Sequence, residues 1–245
     1  SKCLIGFAKL SFLGHMIQAN RLMPDELKIA QLRSAPRPVT KTNVKSFLGS
    51  AGYYQKFIPH FNVIAAPLSN LTKKDQPDRV DWTAECEEAF NALKDKLTAD
   101  PILHLPDLKQ PFVLRTDASI SGLGAVLLQT DPVNPSTYFP IAYASRKLLK
   151  AETNYAAIEL ECLAIIWAID KFQTFLYGRH FTLQSDHRPL SFLSSSKNLN
   201  SRLMRWSLLL QPYSFQIEYI PGRENHAPDY LSRHATDDEA STWSQ

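Results

Sequence analysis

The sequence predicts a mixed α/β domain with a five-stranded sheet, preceded by a mainly helical region. Three observations predict it. Residues 20–100 carry apolar stripes at helical spacing. At Pro101 the texture changes to short alternating apolar runs, interrupted by one long helical stretch. Acidic residues then fall where strands should end and helices should begin.

Residues 3–18 form two short apolar runs joined by a turn, with Phe12-Leu13-Gly14-His15 in the second. Pro24-Asp25-Glu26 opens a helix, since proline suits the first turn and acids favour the helix dipole there. That helix stops by Ala35, because residues before Pro36 and Pro38 disfavour helical backbone. Thr42 or Asn43 caps a second helix running to about Phe57, with its stripe at Val44, Phe47, Leu48, Ala51 and Tyr54. A third helix follows Pro59 to about Leu71. Lys73 to Asp81 is a polar connector. Thr83 caps a fourth helix whose stripe is Cys86, Ala89, Phe90, Leu93 and Leu97.

Beyond Pro101, strands are expected at Pro111–Asp117, Gly122–Gln129 and Phe139–Ser145, with Gly122 and Gly124 marking a tight connection. Ala151–Tyr177 reads as one long helix, apolar on most sides and therefore buried. A fourth strand covers Phe181–Ser185, a short helix Arg188–Leu193, a longer one Ser201–Leu210, and a fifth, alternating strand Tyr213–Ile220. Pro221-Gly222 turns the chain, and Pro228–Arg233 opens a last helix. The order βββαβαβα is a mixed sheet with an antiparallel start.

Composition narrows the class. With 245 residues and 44% hydrophobic content, the chain can bury a core as one large or two small domains, which excludes disorder. Residues 1–80 hold 12 basic against 4 acidic side chains, and the remainder 15 against 20. A basic first third beside an acidic remainder fits a phosphate-facing segment joined to a carboxylate-bearing one; chance clustering on a solvated face is the alternative. Cys3, Cys86 and Cys162 are scattered and odd in number, so no disulfide framework or zinc spacing follows, and a reducing compartment is the default. No apolar stretch reaches the ~20 residues of a membrane span, and no signal-peptide pattern opens the chain. It begins at Ser1 in mid-pattern and reads as a piece of something longer.

Four acids sit where chemistry would want them. Asp117 and Asp186 end strands, Glu161 lies in the first turns of the long helix, and Asp229 starts the last helix; the intervals are 44, 25 and 43 residues. Aspartate is disfavoured in strands, and a single one at a strand end is usually a turn residue. Two on neighbouring strands, with two more at helix starts, can converge on one sheet edge. Converged carboxylates cannot all stay ionised without cations between them. Hard oxygen ligands suit Mg²⁺ or Mn²⁺, and two such ions ~4 Å apart clamp the attacking and leaving oxygens of a phosphodiester.

At these residues the sequence resembles the ribonuclease H domain of gypsy-type LTR retrotransposon (Metaviridae) Pol polyproteins. The resemblance is carried by Thr116-Asp117-Ala118-Ser119 with Gly122-x-Gly124-Ala125, by Asn154-Tyr155…Glu159-Leu160-Glu161-Cys162-Leu163-Ala164, and by Phe175-Leu176-Tyr177-Gly178-Arg179. It continues in Asp186-His187-x-Pro189-Leu190, Arg202…Arg205-Trp206, and Pro221-Gly222…Asn225…Asp229-x-Leu231-Ser232-Arg233. Upstream, Phe12-Leu13-Gly14-His15, Ser46-Phe47-Leu48-Gly49…Tyr53-Tyr54 and Ala66-Pro67-Leu68 resemble the end of the palm, the thumb and the connection of the same reverse transcriptase. Pro228 stands where the family usually has alanine, and Gln55 where it commonly has arginine.

The resemblance implies a ribonuclease H-like fold with flanking helices, divided as 1–20 end of palm, 21–100 thumb and connection, 101–233 ribonuclease H domain and 234–245 tail. It implies a metal-dependent nuclease that cuts the RNA strand of RNA–DNA hybrids with two Mg²⁺ (or Mn²⁺) ions, through Asp117, Glu161, Asp186 and Asp229. RNA is then told from DNA partly through 2′-hydroxyls. Glu159 rivals Glu161, but the family's Glu-x-x-Ala register falls on Glu161, and residues two apart diverge by about 200° around a helix; Glu159 is then a surface acid at the helix start. In the thumb-like region Lys41, Lys45, Lys56 and Tyr54 are candidate nucleic-acid contacts, with core packing the competing reading for the tyrosine. His226 is the candidate mobile histidine near the last acid, with a substrate-neutral loop residue as its alternative, and His187 reads as an orienting neighbour of Asp186. The expected partners are the hybrid and the rest of a Pol polyprotein, with no membrane. The expected location is a cytoplasmic retroelement particle, with the nucleus as second compartment. No Tyr-x-Asp-Asp polymerase motif occurs, so DNA synthesis by this chain alone is not expected. A catalytically silent remnant that binds nucleic acid or a polymerase partner is the competing functional reading, and a transposase or integrase on the same fold a third.

Overall fold

The computed structural model describes residues 8–99, 103–120, 122–186 and 201–221. The first strands are β1 (Lys9–Phe12), β2 (His15–Gln18) and β3 (Arg21–Pro24), an antiparallel meander. The β1–β2 turn needs left-handed backbone at Leu13 and Gly14 (φ 47° and 69°), which glycine adopts at little cost. Asp25 then caps α1 (Glu26–Arg33) by accepting the Leu27 N–H at 2.9 Å.

Next come α2 (Lys41–Tyr53), a 3₁₀ turn at Gln55–Phe57, α3 (Phe61–Ile64), α4 (Ala66–Asn70) and α5 (Ala84–Thr98). Two expectations change here. The cap of α2 is Thr40, not Thr42 or Asn43; Asn43 instead completes a reciprocal capping box, its side chain accepting the Thr40 N–H at 3.2 Å. The expected Pro59–Leu71 helix is two short ones, broken at Ala65 beside Pro67. Val44, Phe47, Phe57, Leu68, Phe90 and Leu93 are among the residues that build the core of this region.

Strand β4 (Leu103–His104) follows the change of texture, yet it pairs with β3 and Leu103 is buried in the first core. The second sheet comprises β5 (Phe112–Ala118), β6 (Gly122–Thr130), β7 (Tyr138–Lys147), β8 (His180–Ser185) and β9 (Ser214–Tyr219), in the order β7-β6-β5-β8-β9. The β7–β6 and β6–β5 pairs are antiparallel; β5–β8 and β8–β9 are parallel. This is the expected mixed five-stranded sheet.

The long helix expected over Ala151–Tyr177 is divided into a 3₁₀ turn at Glu152–Asn154, α6 (Ala157–Lys171) and α7 (Gln173–Leu176), because Tyr155 and Ala156 are extended and Phe172 leaves helical geometry. Helix α8 (Ser201–Leu210) has its expected bounds. Cys162, Ile165, Ala168 and Ile169 of α6 pack on Phe112, Leu114, Ala125 and Leu127 of the sheet. The helices expected at 188–193 and 228–233 and the tail at 234–245 lie outside the described residues. At the seam between the two regions, the Asn62 N–H donates to Ser145 Oγ at 3.2 Å, its side-chain amide donates to the Ser145 carbonyl, and His104 stacks on Phe139 at 4.0 Å.

Candidate active site

Strand direction places the acids. β5 and β8 run parallel, with Arg115 opposite Gln184 as their last pair, so Asp117, two residues further on in β5, and Asp186, just past the end of β8, stand at the carboxyl ends of neighbouring strands. By alternation Asp117 shares the sheet face of Arg115, whose side chain is bonded to Gln184 at 2.6 Å; α6 packs on the other face, against Phe112 and Leu114. β7 runs the same way as β5, so the chain that leaves β7 enters α6 at this end of the sheet. α6 therefore starts beside the strand ends and delivers Glu161 within its first turns. The crossover from β8 to the parallel β9 starts α8 at the same end. In open α/β sheets the carboxyl ends of the strands are where ligands bind.

Asp117 is 3% exposed and Glu161 9%, while Asp186 is half-buried. Glu159 was expected at the surface and is not: it is 8% exposed. One of its carboxylate oxygens accepts the Ala156 N–H at 3.0 Å and the other accepts Arg202 Nη1 at 2.8 Å. Glu159 thus closes the helix end. The pKa of the Cys162 thiol is pushed up to about 12, first by burial and then by the negative charges of Glu161 and Glu159. A buried thiol held in its neutral form is a packing group of the core, where Cys162 sits against the sheet.

Asp229, His226 and His187 lie outside the described residues. Among the described residues no three His, Cys, Asp or Glu side chains close into a metal-holding group. The acids at this end of the sheet, Asp117, Glu161 and Asp186, offer carboxylate oxygens, the kind that Mg²⁺ and Mn²⁺ take. The set fits the ions in kind.

In the thumb-like region, Lys45 is exposed, Lys41 half-exposed with Nζ 3.5 Å from the Lys74 carbonyl, and Lys56 half-buried over the Phe57 ring at 5.3 Å. Burial lowers the Lys56 pKa. Tyr54 is corrected: at 3% exposure, with its hydroxyl donating to the Gly14 carbonyl at 2.8 Å, it has no ring face to offer a base. A cavity of about 750 Å³ between α1, α2 and the β1–β2 turn is walled by Leu13, Pro36, Phe47 and Tyr53. Among the described residues no Asp or Glu lines it. Arg202 entered the sequence reading only as part of a motif, without a role; its signal would have been a basic residue at the start of a helix that returns to the acidic end of the sheet.

Comparison with known proteins agrees with this architecture. Residues 107–213 match the model of the RNase H-like domain found in reverse transcriptase. The chain is 42% identical over 233 residues to the retrovirus-related Pol polyprotein from transposon 297 of Drosophila melanogaster, covering 95% of the chain and 21% of that protein. It is 37% identical over 235 residues to the Pol polyprotein from transposon gypsy of the same organism, covering 91% and 22%. It thus spans about a fifth of these relatives. Among solved structures it superposes on a foamy viral protease-reverse transcriptase in complex with RNA/DNA hybrid, with TM-score 0.76 and 19% identity over 97% of this chain and 32% of that one. The same viral protein in complex with dsDNA gives TM-score 0.75 and 20% identity, over 87% and 45%. At these identities the likeness is one of fold.

Proposed function

Because this chain belongs with the gypsy-type retrotransposon Pol polyproteins and carries their reverse-transcriptase ribonuclease H-like domain, we propose that it hydrolyses the RNA strand of RNA–DNA hybrids through Asp117, Glu161, Asp186 and Asp229. The observation that supports the reading is that Asp117 near the end of β5, Asp186 just past the end of β8 and the chain leading from β7 into α6 all lie toward the same end of the sheet.

Asp117 and Asp186 offer oxygens from rigid strand ends, and Glu161 from a helix packed on those strands. Their role is to hold two Mg²⁺ or Mn²⁺ ions against the scissile phosphate. When bound, such ions would activate a water for attack and offset the charge on the leaving 3′ oxygen. Held on strands and a buried helix, the acids need little rearrangement to act, which is how preorganised sites lower barriers. Contacts to 2′-hydroxyls across the wide minor groove of the hybrid would select RNA over DNA. The exposed Lys45 and half-exposed Lys41 are in a position to meet backbone phosphates at a distance from the cut, and the rest of a Pol polyprotein is the partner that would complete the grip.

The test uses an end-labelled RNA–DNA hybrid with Mg²⁺ or Mn²⁺, then with chelator, for wild type and Asp117→Asn. Cutting confined to RNA in the hybrid, dependent on metal and lost in the variant, is the expected result. Equal silence of both proteins, while both bind hybrid, would replace this reading with that of a binding remnant.

A further inference from the structure

The N-terminus of α6 has an unusual closure. Its N-cap, Ala156, has no polar side chain with which to accept the first N–H groups. Only the returning half of a capping box is present: Glu159 accepts the Ala156 N–H at 3.0 Å. The same carboxylate is held on its other oxygen by Arg202 Nη1 at 2.8 Å. Arg202 lies in the first turn of α8, and its guanidinium sits over the Tyr155 ring with 4.0 Å to the centroid. Tyr155 in turn lies 6.1 Å from Trp206 of α8. One arginine therefore ties the first turn of α8 to the two residues, Tyr155 and Glu159, that define where α6 begins.

The geometry points to Arg202 as a positioning residue of the active site: through Glu159 it fixes the depth and rotation of the α6 N-terminus, and so the place of the Glu161 carboxylate. The inference rests on the proposed nuclease reading. Its physical basis is leverage. Glu161 follows Glu159 by two residues on one rigid helix, so any shift or twist of the first turn is carried directly to its oxygens. The Glu159 side chain is 11% exposed and Arg202 36%, so the carboxylate end of the pair is shielded while the arginine end is partly open to solvent. Groups bonded directly to metal ligands typically matter by about 10- to 100-fold in metal affinity or activity; Arg202 acts one step further out, through Glu159, and belongs at the low end of that range.

Arg202→Met removes the tie, Arg202→Lys keeps the charge, and Glu159→Gln keeps an acceptor for the Ala156 N–H while removing the charge that Arg202 meets. Mn²⁺ binding is titrated calorimetrically without nucleic acid, alongside Tm and the kcat and KM for hybrid cleavage. The expected result is about tenfold weaker Mn²⁺ binding in Arg202→Met and Glu159→Gln, with kcat reduced, KM for hybrid within about twofold, and substantial rescue in Arg202→Lys. Unchanged Mn²⁺ affinity with a raised KM overturns the inference and makes Arg202 a phosphate contact. Weaker Mn²⁺ binding that Lys does not rescue, and that tracks Tm, also overturns it and leaves a purely structural pair. A wild-type chain that shows no Asp117-dependent Mn²⁺ binding overturns the nuclease reading itself, whereas wild-type binding that the variants leave intact removes only this inference.

Discussion

Arg146 closes both arms of its guanidinium on Glu152, with Nη1 2.6 Å from Oε2 and Nη2 3.0 Å from Oε1. Glu152 also accepts the Leu149 N–H at 2.7 Å, so the pair ties the end of β7 to the loop that leads into α6. Burial pushes the Glu152 carboxyl up, but Arg146 and the Leu149 N–H outweigh it and hold the group below its ordinary 4.5. A depressed folded-state pKa adds stability that is complete above about 4.5 and is lost as pH falls through the folded value. Glu152→Gln is expected to cost about 2 kcal/mol near neutral pH, less than the ~3–5 kcal/mol of a fully buried pair because Arg146 is partly exposed. Urea unfolding should show the gap from wild type shrinking in acid; a gap independent of pH would remove the ion pair as its cause.

Two glycines should respond to alanine in opposite directions. A Cβ on Gly122, at the start of β6, would meet the Arg146 carbonyl at 2.8 Å, while one on Gly49 in α2 meets nothing within 4 Å. Gly122→Ala forces β6 and β7 apart close to Asp117 and is expected to cost about 1–3 kcal/mol. Gly49→Ala is expected to stabilise by about 1 kcal/mol, since glycine is a poor helix former. Denaturation midpoints of the two variants check both signs.

What the sequence made legible was local. The α5 stripe of Cys86, Ala89, Phe90, Leu93 and Leu97 is buried residue for residue, and Thr83 caps that helix, accepting the Cys86 N–H at 3.3 Å. What was not legible depends on distant partners. The run Thr40-Lys41-Thr42-Asn43 offers several caps, and Thr40 takes the role while its backbone bridges to Arg79, a contact that no local pattern reveals. Helix spacing could separate Glu159 from Glu161, but not show that Glu159 is buried, because its partner Arg202 stands 43 residues away. Asp117 and Asp186 were legible as strand-end acids; that they stand at the same end of neighbouring strands required the parallel pairing of β5 and β8.

Tyr54 is expected to behave as a strut between α2 and the β1–β2 turn. The Gly14 carbonyl accepts both its hydroxyl at 2.8 Å and the Asp25 N–H at 3.1 Å. Tyr54→Phe keeps the ring and leaves that carbonyl one donor, so the loss should be no more than about 1 kcal/mol. Tyr54→Ala removes a core ring and should cost about 3–5 kcal/mol. If Tyr54→Phe instead left stability untouched but weakened hybrid binding severalfold, the residue would return to the list of nucleic-acid contacts.

Lys45 and Lys56 should separate in salt titrations of hybrid binding. Lys45 is exposed on α2, free to approach a phosphate and displace a counterion. Lys56 is half-buried over Phe57, and burial lowers its pKa, so its ammonium is already committed to an apolar wall. Each phosphate contact contributes close to one unit to the slope of log K against log salt, so Lys45→Gln is expected to flatten that slope by about 1 and to weaken binding whatever the hybrid sequence. Lys56→Gln should leave the slope within about 0.3 of wild type on the same scale. Fluorescence anisotropy across a salt series decides it: a flattened slope in Lys56→Gln with none in Lys45→Gln would move the phosphate path off the exposed face of α2 and into the seam beside Asn62 and Ser145.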